Sequence, residues 1–283
     1  MSAATEGSKP PQGSRSLPPG FARAAARATL PKLGAVAIVL AAWELLVLLH
    51  WREDYSLPTP PQVWAALGTQ VHDAEFYRAI GITMGRAASG YALALVIGAG
   101  IGLAMAVVPL LRSAVGSLMS GLQTMPSIAW FPFAILLFGL DETAILFVVV
   151  LGAAPSIANG IISGIDNVPR QLVLAGRVLG GHGLFLYRRV ILPAAMPYVL
   201  AGLKQGWAFA WRSLMAGELL VIVVGRPSLG VKLQFAREFS DAALMVALLV
   251  VLLVIGILVD FGFGRIDIRI RRRRGLLRPT SLG

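Results

Sequence analysis

Charge is absent from this chain in long blocks. Four windows contain no Asp, Glu, Lys or Arg: Ala87 to Leu111, Ser113 to Leu140, Thr143 to Ile165 and Ala242 to Val259. Crossing a hydrocarbon core as a helix takes about 20 apolar residues, so each window is long enough or nearly so. None alternates apolar with polar positions, which favours helices over the tilted strands of a barrel. The pattern predicts an all-α integral membrane protein with six transmembrane helices, over about 33–49, 79–110, 118–140, 143–163, 194–224 and 242–263. The first is interrupted by Glu44 and the fifth by Lys204, Arg212 and Glu218. Short turns are expected around Arg112 and at Asp141-Glu142, and a longer cytoplasmic loop over 164–193. The small-residue run Gly98-Ala99-Gly100-Ile101-Gly102 is placed for close helix approach.

Composition agrees with the pattern. Hydrophobic residues make up 57% of the 283 and charged ones 14%, with a mean hydropathy of +0.75, far from soluble averages. Residues 1–32, rich in Ser, Pro, Gly, Ala and Arg, are expected to form a disordered basic tail. They are too polar at their start to be a cleaved signal peptide. A second basic tail covers 266–283, leaving 33–265 as the membrane domain. No cysteine is present, so disulfides and thiolate metal sites are excluded.

The net charge of +11 would suggest nucleic-acid binding in a soluble chain, but its distribution points to the membrane. With six spans, the two tails, the Arg112 turn and the 164–193 loop share one side and hold 17 of the 25 basic residues with three acids. The other side holds five basic residues and eight acids. Lys and Arg gather in cytoplasmic loops, which places both termini and the 164–193 loop in the cytoplasm and removes nucleic acid as a partner. The run Arg271 to Arg274 is expected to be a solvated flank of the last span, beside anionic lipid headgroups.

Catalytic chemistry is not supported. No HExxH, GxSxG or GxxxxGK[ST] motif occurs, and His50, His72 and His182 are scattered over loops and a span end. No catalytic residue, metal ligand or cofactor is expected, and a transport process driven by ATP must draw on another subunit. Charges inside a span need a partner or a wet cavity. Arg212 and Glu218 are six residues apart, about 120° off one helix face, so each should pair across to another helix or line a shared path. Arg86 is a candidate partner for Glu218. Pro126 and Pro132 interrupt the opening of the third span, and Pro155 offers a second break in the fourth. Irregular backbone at membrane depth is tolerated where it is buried or lines a cavity. The candidates for a translocation path are therefore Arg86, Pro126, Ser127, Pro155, Asn159, Trp211, Arg212 and Glu218, with Trp211 also fitting plain packing.

Two sets of residues carry a family resemblance. Leu174-Ala175-Gly176, Gly180 and then Val190-Ile191-Leu192-Pro193 keep the spacing of the EAA loop of binding-protein-dependent ABC transporter permeases, where Glu-Ala-Ala is followed by Gly and then by Ile-x-Leu-Pro. Only Ala175 of the triplet matches, and Leu174 lies in the Glu-Ala-Ala segment without its acid. Pro126-Ser127-Ile128-Ala129-Trp130-Phe131-Pro132 with Phe138-Gly139, and Leu192 to Pro197 through Ala201-Gly202-Leu203, Glu218 and Leu229-Gly230, resemble the nitrate, sulfonate and taurine branch.

The resemblance covers roughly 55–265 and implies a permease of the type I ABC importer kind in a bacterial inner membrane. Two copies would form the pore, cytoplasmic ATP-binding subunits would receive a docking helix from about Leu172 to Arg189, and an extracytoplasmic solute-binding protein would deliver the cargo. The coupling residues it implies are Ala175, Gly176, Gly180, Gly181, Val190, Leu192 and Pro193, with the docking helix ended by Pro193. Arg86 and Arg212 favour an anionic cargo. Thiamine precursors or other small nitrogen compounds are the alternative within the family, and an ion-coupled carrier or a membrane enzyme the alternatives outside it.

Overall fold

The computed structural model describes residues 21–49 and 57–273, and every regular element in them is helical. The chain divides at Pro60 and Pro61 into two compact units. The first contains α1 (Phe21–Leu48), in which Trp43 Nε1 donates to Pro58 O at 3.1 Å. This helix begins at Phe21 rather than near 33, because the Phe-Ala-Arg-Ala-Ala-Ala-Arg-Ala stretch consists mostly of strong helix formers. The tail expected over 1–20 lies outside the described residues.

In the second unit, α2 (Pro60–Val71) leads to α3 (Ala74–Val107), then α4 (Pro109–Thr124), a 3-10 turn (Ser127–Trp130), α5 (Phe131–Phe138) and α6 (Glu142–Asp166). The chain continues with α7 (Arg170–Val178), α8 (Gly183–Leu186), a π-helical turn (Tyr187–Ile191), α9 (Leu192–Leu220), α10 (Leu229–Glu238) and α11 (Ala242–Arg273). By length and composition, α3, α6, the run Gly183–Leu220 and α11 are each long and apolar enough to cross a membrane. A fifth candidate is the pair Pro109–Thr124 and Ser127–Phe138, bent by 103°. Gly34–Leu48 is a shorter apolar stretch within α1.

Several expectations need correction. Arg112 lies inside α4, not in a turn: the reversal falls at Val108, and Pro109 starts the new helix at a position where its missing N–H costs nothing. The break expected at Pro126 is present, because the proline supplies no N–H for the helical hydrogen bond. Pro155, in contrast, breaks nothing. It is buried inside an uninterrupted α6, where packing on both sides holds the helix through the lost bond. At the far end α11 runs through Arg273, beyond the expected limit of 265, since no Gly or Pro interrupts it after Gly264.

The core forms where α6 passes between α3 and α9. Small residues set the distance. Gly90, Gly98 and Gly102 of α3 meet Val149, Ala154, Ile157 and Ala158 of α6, and a Cβ at Gly98 would sit 2.6 Å from the Ala154 carbonyl oxygen. On the other side a Cβ at Gly160 would lie 2.5 Å from the Cα of Gly202. Backbone-to-backbone contact of this kind replaces the hydrophobic drive that lipid removes. Gly100, in the middle of the expected run, meets nothing within 4 Å, because it lies on the opposite face. Side-chain caps begin four helices: Asp73 accepts from Glu75 N–H at 2.9 Å, Asp141 from Thr143 N–H at 3.3 Å, Ser228 from Val231 N–H at 3.3 Å and Asp241 from Leu244 N–H at 2.9 Å. Outside the spans, the Glu75 amide and then Lys232 hold the Asp73 carboxyl below its usual range, and Thr143 does the same for Asp141.

Candidate translocation path and coupling segment

Helix α9 carries three groups of polar or special residues at three heights. At its C-terminal end Glu218 has no exposure at all. Arg86 Nη1 donates to its Oε1 at 3.1 Å, Thr83 Oγ1 donates to its Oε2 at 2.9 Å, and Gly230 N–H reaches Oε2 at 3.1 Å. Thr83 Oγ1 in turn accepts from Leu229 N–H at 3.0 Å. Arg86 also donates from Nη2 to Glu142 Oε1 at 3.0 Å, and Arg226 Nη1 lies 3.3 Å from the same oxygen. The pair anticipated between Arg86 and Glu218 thus exists. Both residues are sealed inside a fully hydrogen-bonded cluster, the arrangement a buried ion pair requires, and neither is presented to a passing solute.

Midway along α9 the arrangement opens. A cavity of about 330 Å³ is lined by Gln123, Thr124, Pro126, Ser127, Trp130, Gly152, Phe209 and Arg212 among others. Here Pro126, Ser127 and Arg212 come together at the break between α4 and α5. The Arg212 guanidinium lies 4.8 Å from the centre of the Phe209 ring, and its Nε donates to Ala208 O at 3.0 Å. Gln123, which sequence reasoning missed, links the cavity to α6: its amide donates to Ser156 Oγ at 2.8 Å and accepts from Asn159 at 3.1 Å. Trp211 is elsewhere. It stacks on Trp207, with centroids 6.3 Å apart, and faces α11. Tyr91 meets Trp207 edge-on and donates to Leu203 O at 2.9 Å, which packs that side of the cluster, while Trp207 and Trp211 also line a cavity of about 440 Å³ with Arg212.

Before α9 lies the 164–193 segment. Helix α7 ends in a Schellman motif: Gly181 N–H bonds Gly176 O and Gly180 N–H bonds Arg177 O, both at 2.9 Å, with Gly180 at φ +86°. That is the physical reason for a glycine four residues after the triplet ends. Gly176 has its own reason. A Cβ there would meet Leu186 Cδ1 at 2.7 Å and Val190 Cγ2 at 3.0 Å, so α7 folds tightly back on the segment that follows. Ala175 and Leu192 are exposed, and Gly181 is buried.

The single docking helix expected from Leu172 to Arg189 is two helices joined by a tight turn. Pro193 does not end it. The run is helical from Gly183 through Leu220, because the π turn, in which Leu192 N–H bonds Tyr187 O, re-registers the backbone ahead of the proline. Beneath, Val168, Leu186, Ile191 and Ala195 make a small core. On the surface Leu172, Leu174, Val178, Leu179, Leu184 and Phe185 are all exposed, Val178 and Leu179 at 87% and 86%.

Residues 94–272, more than half of the chain, match the family described as binding-protein-dependent transport system inner membrane component. The chain belongs to this family of transport permeases of the inner membrane. It is 26% identical over 243 residues to the taurine transport system permease protein TauC of Escherichia coli strain K12, covering 84% of this chain and 87% of TauC. It is 28% identical over 208 residues to the nitrate import permease protein NrtB of Leptolyngbya laminosa, covering 70% and 73%. Among solved structures it shares the fold of a chain of the MetNI methionine ABC transporter in an inward-facing conformation, at a TM-score of 0.58 and 22% identity, covering 69% of this chain and 95% of that one.

Proposed function

We propose that this chain is the membrane pore of an ATP-driven importer for a small anion, of the class that includes sulfonates such as taurine and nitrate. Two copies form the pore with both termini in the cytoplasm, an external solute-binding protein supplies cargo, and cytoplasmic ATP-binding subunits hydrolyse ATP. The observation that carries this reading is the 170–191 segment. Its outer surface presents exposed apolar side chains, flanked by Arg170, Arg177, Arg188 and Arg189. A patch of this composition at the end of a membrane protein is a protein-docking surface.

Mechanical continuity supports the same role. A push on α8 passes through an unbroken helical run to Leu220, and the Gly160–Gly202 contact leaves α9 no slack to absorb it against α6. Loss of the family's glutamate leaves docking to apolar contact, with Leu174 exposed in the Glu-Ala-Ala segment. The cargo class rests on the relatives named for taurine and nitrate transport and on Arg212 at the α4–α5 break, which meets no carboxylate among the described residues.

The test is capture of the ATP-binding subunits by purified permease, with ATP-dependent uptake of taurine and of nitrate into proteoliposomes. Each buried leucine is worth about 1.5–3 kcal/mol, so Leu179→Asp with Leu184→Asp should weaken capture about a hundredfold or more while expression and thermal stability hold. Deleting 176–186 should abolish capture. ATPase binding retained after that deletion overturns the coupling role.

A further inference from the structure

Helix α9 has one face that the core does not use. Gly202, Gly206, Ala210, Ser213 and Gly217 are buried, while Lys204, Gln205 and Arg212 are exposed and Ala208 half-exposed. At about 100° per residue these four fall within an arc of about 100°. Lys204 and Arg212 lie 12 and 20 residues into a helix that runs Leu192–Leu220, which puts both at membrane depth. Lipid does not tolerate exposed charge there, so water or another protein must cover this face. The run containing α9 is also the least apolar of the four long candidate spans.

The two cations are not equivalent. Lys204 Nζ lies 2.8 Å from Asp260 Oδ1 of α11. Arg212 has no carboxylate within 4.0 Å among the described residues, and its Nη groups have no hydrogen bond there. Arg212 borders the cavity of about 330 Å³ at the α4–α5 break and also a second one of about 440 Å³ that contains Lys204, Gln205, Ala208 and Asp260. Arg212 is the one lining residue that these two cavities share.

We propose that this face is a two-station anion track: Arg212, with Ser127 beside it, holds a small monoanion such as a sulfonate, and Lys204, already balanced by Asp260, receives it more weakly and releases it. The stations are about 12 Å apart along the helix. An unpaired cation in a confined wet space concentrates anions. At Lys204 the carboxylate competes with the cargo, and passage needs such a site that binds without trapping. This rests on the reading of the chain as a pore, and it runs from the Leu220 end towards the 170–191 segment.

The chain has no cysteine, so single thiols report on this face without background. In proteoliposomes holding the whole transporter, Ala208→Cys and Gln205→Cys are labelled with a sulfonate-bearing and with a trimethylammonium-bearing methanethiosulfonate, each rate normalised to a free thiol. Val96→Cys, at an exposed apolar position of α3 that borders neither cavity, is the control. The anionic reagent should be favoured about tenfold or more at Ala208→Cys. Arg212→Gln should bring the ratio towards one, Arg212→Lys should keep it, and Asp260→Asn should raise it at Gln205→Cys. If one thiol variant fails to accumulate, Ala201→Cys replaces it.

Thiols as unreactive as the control, or a ratio that Arg212→Gln leaves unchanged, overturn the track. Labelling does not depend on ATPase capture, so an anion preference that survives failed capture removes the coupling role and leaves the track standing.

Discussion

The two ends of α9 solve opposite problems. At the Glu218 end, one carboxylate gathers an arginine, a threonine and a backbone N–H, and Glu218, Arg86 and Thr83 are all buried. At the other end, the small core under α8 is overlaid by apolar side chains that touch water, Leu179 at 86% and Leu184 at 74%. Satisfied charge in the interior and unsatisfied apolar surface outside are both costly in isolation. The first becomes stable inside one chain. The second is left uncovered among the described residues, so one helical run joins a finished structure to an unfinished one.

The largest break in this contrast is Glu218→Ala, which strands Arg86 beside Glu142 alone and opens a hole where the carboxylate took three hydrogen bonds. Removing one partner of a buried ion pair costs about 3–5 kcal/mol. Thermal unfolding of the detergent-solubilised permease, followed by loss of the monodisperse chromatographic peak, should show a large drop in midpoint. An unchanged midpoint would mean the cluster is not holding the α3, α9 and α10 ends together.

Next comes Gly230→Ala. Its Cβ would lie 2.3 Å from Glu218 Cβ and 3.0 Å from the Glu218 backbone carbon, so the start of α10 must move away. Overpacking of this kind costs about 1–3 kcal/mol, and the same unfolding assay should fall by a part of the Glu218→Ala effect. Full native stability would show that α10 gives way freely.

Gly180→Ala is the smallest. Nothing lies within 4 Å of the added methyl, but φ is +86°, a strain of about 1–2 kcal/mol. Because α7 is peripheral, the global midpoint should barely move, while proteolysis within 176–183 speeds up and ATPase capture weakens by about tenfold. A variant with unchanged capture would separate the Schellman turn from docking.

Much of this was legible along the chain. The charge-free windows made the long helices, the pairing of Arg86 with Glu218 followed from two lone charges needing partners, and the Pro126 break followed from a missing backbone donor. Pro155 was misread because a proline shows the bond it removes and not the packing that holds the helix without it. Arg112 was placed in a turn because a single charge between apolar stretches resembles one, whereas the reversal needed only Val108 and Pro109.

The sequence by itself determined that the chain is helical, lives in a membrane and keeps the Gly and Leu-Pro spacing of the permease family's EAA loop, since hydropathy, charge asymmetry and Gly/Pro placement act locally on the backbone. Tertiary structure alone decided which charges are sealed and which are offered. Arg86 and Arg212 are the same residue type in spans of similar composition. Only the approach of Glu218 and Glu142 to one, and the absence of any described carboxylate beside the other, divides a structural arginine from one free to meet an anion.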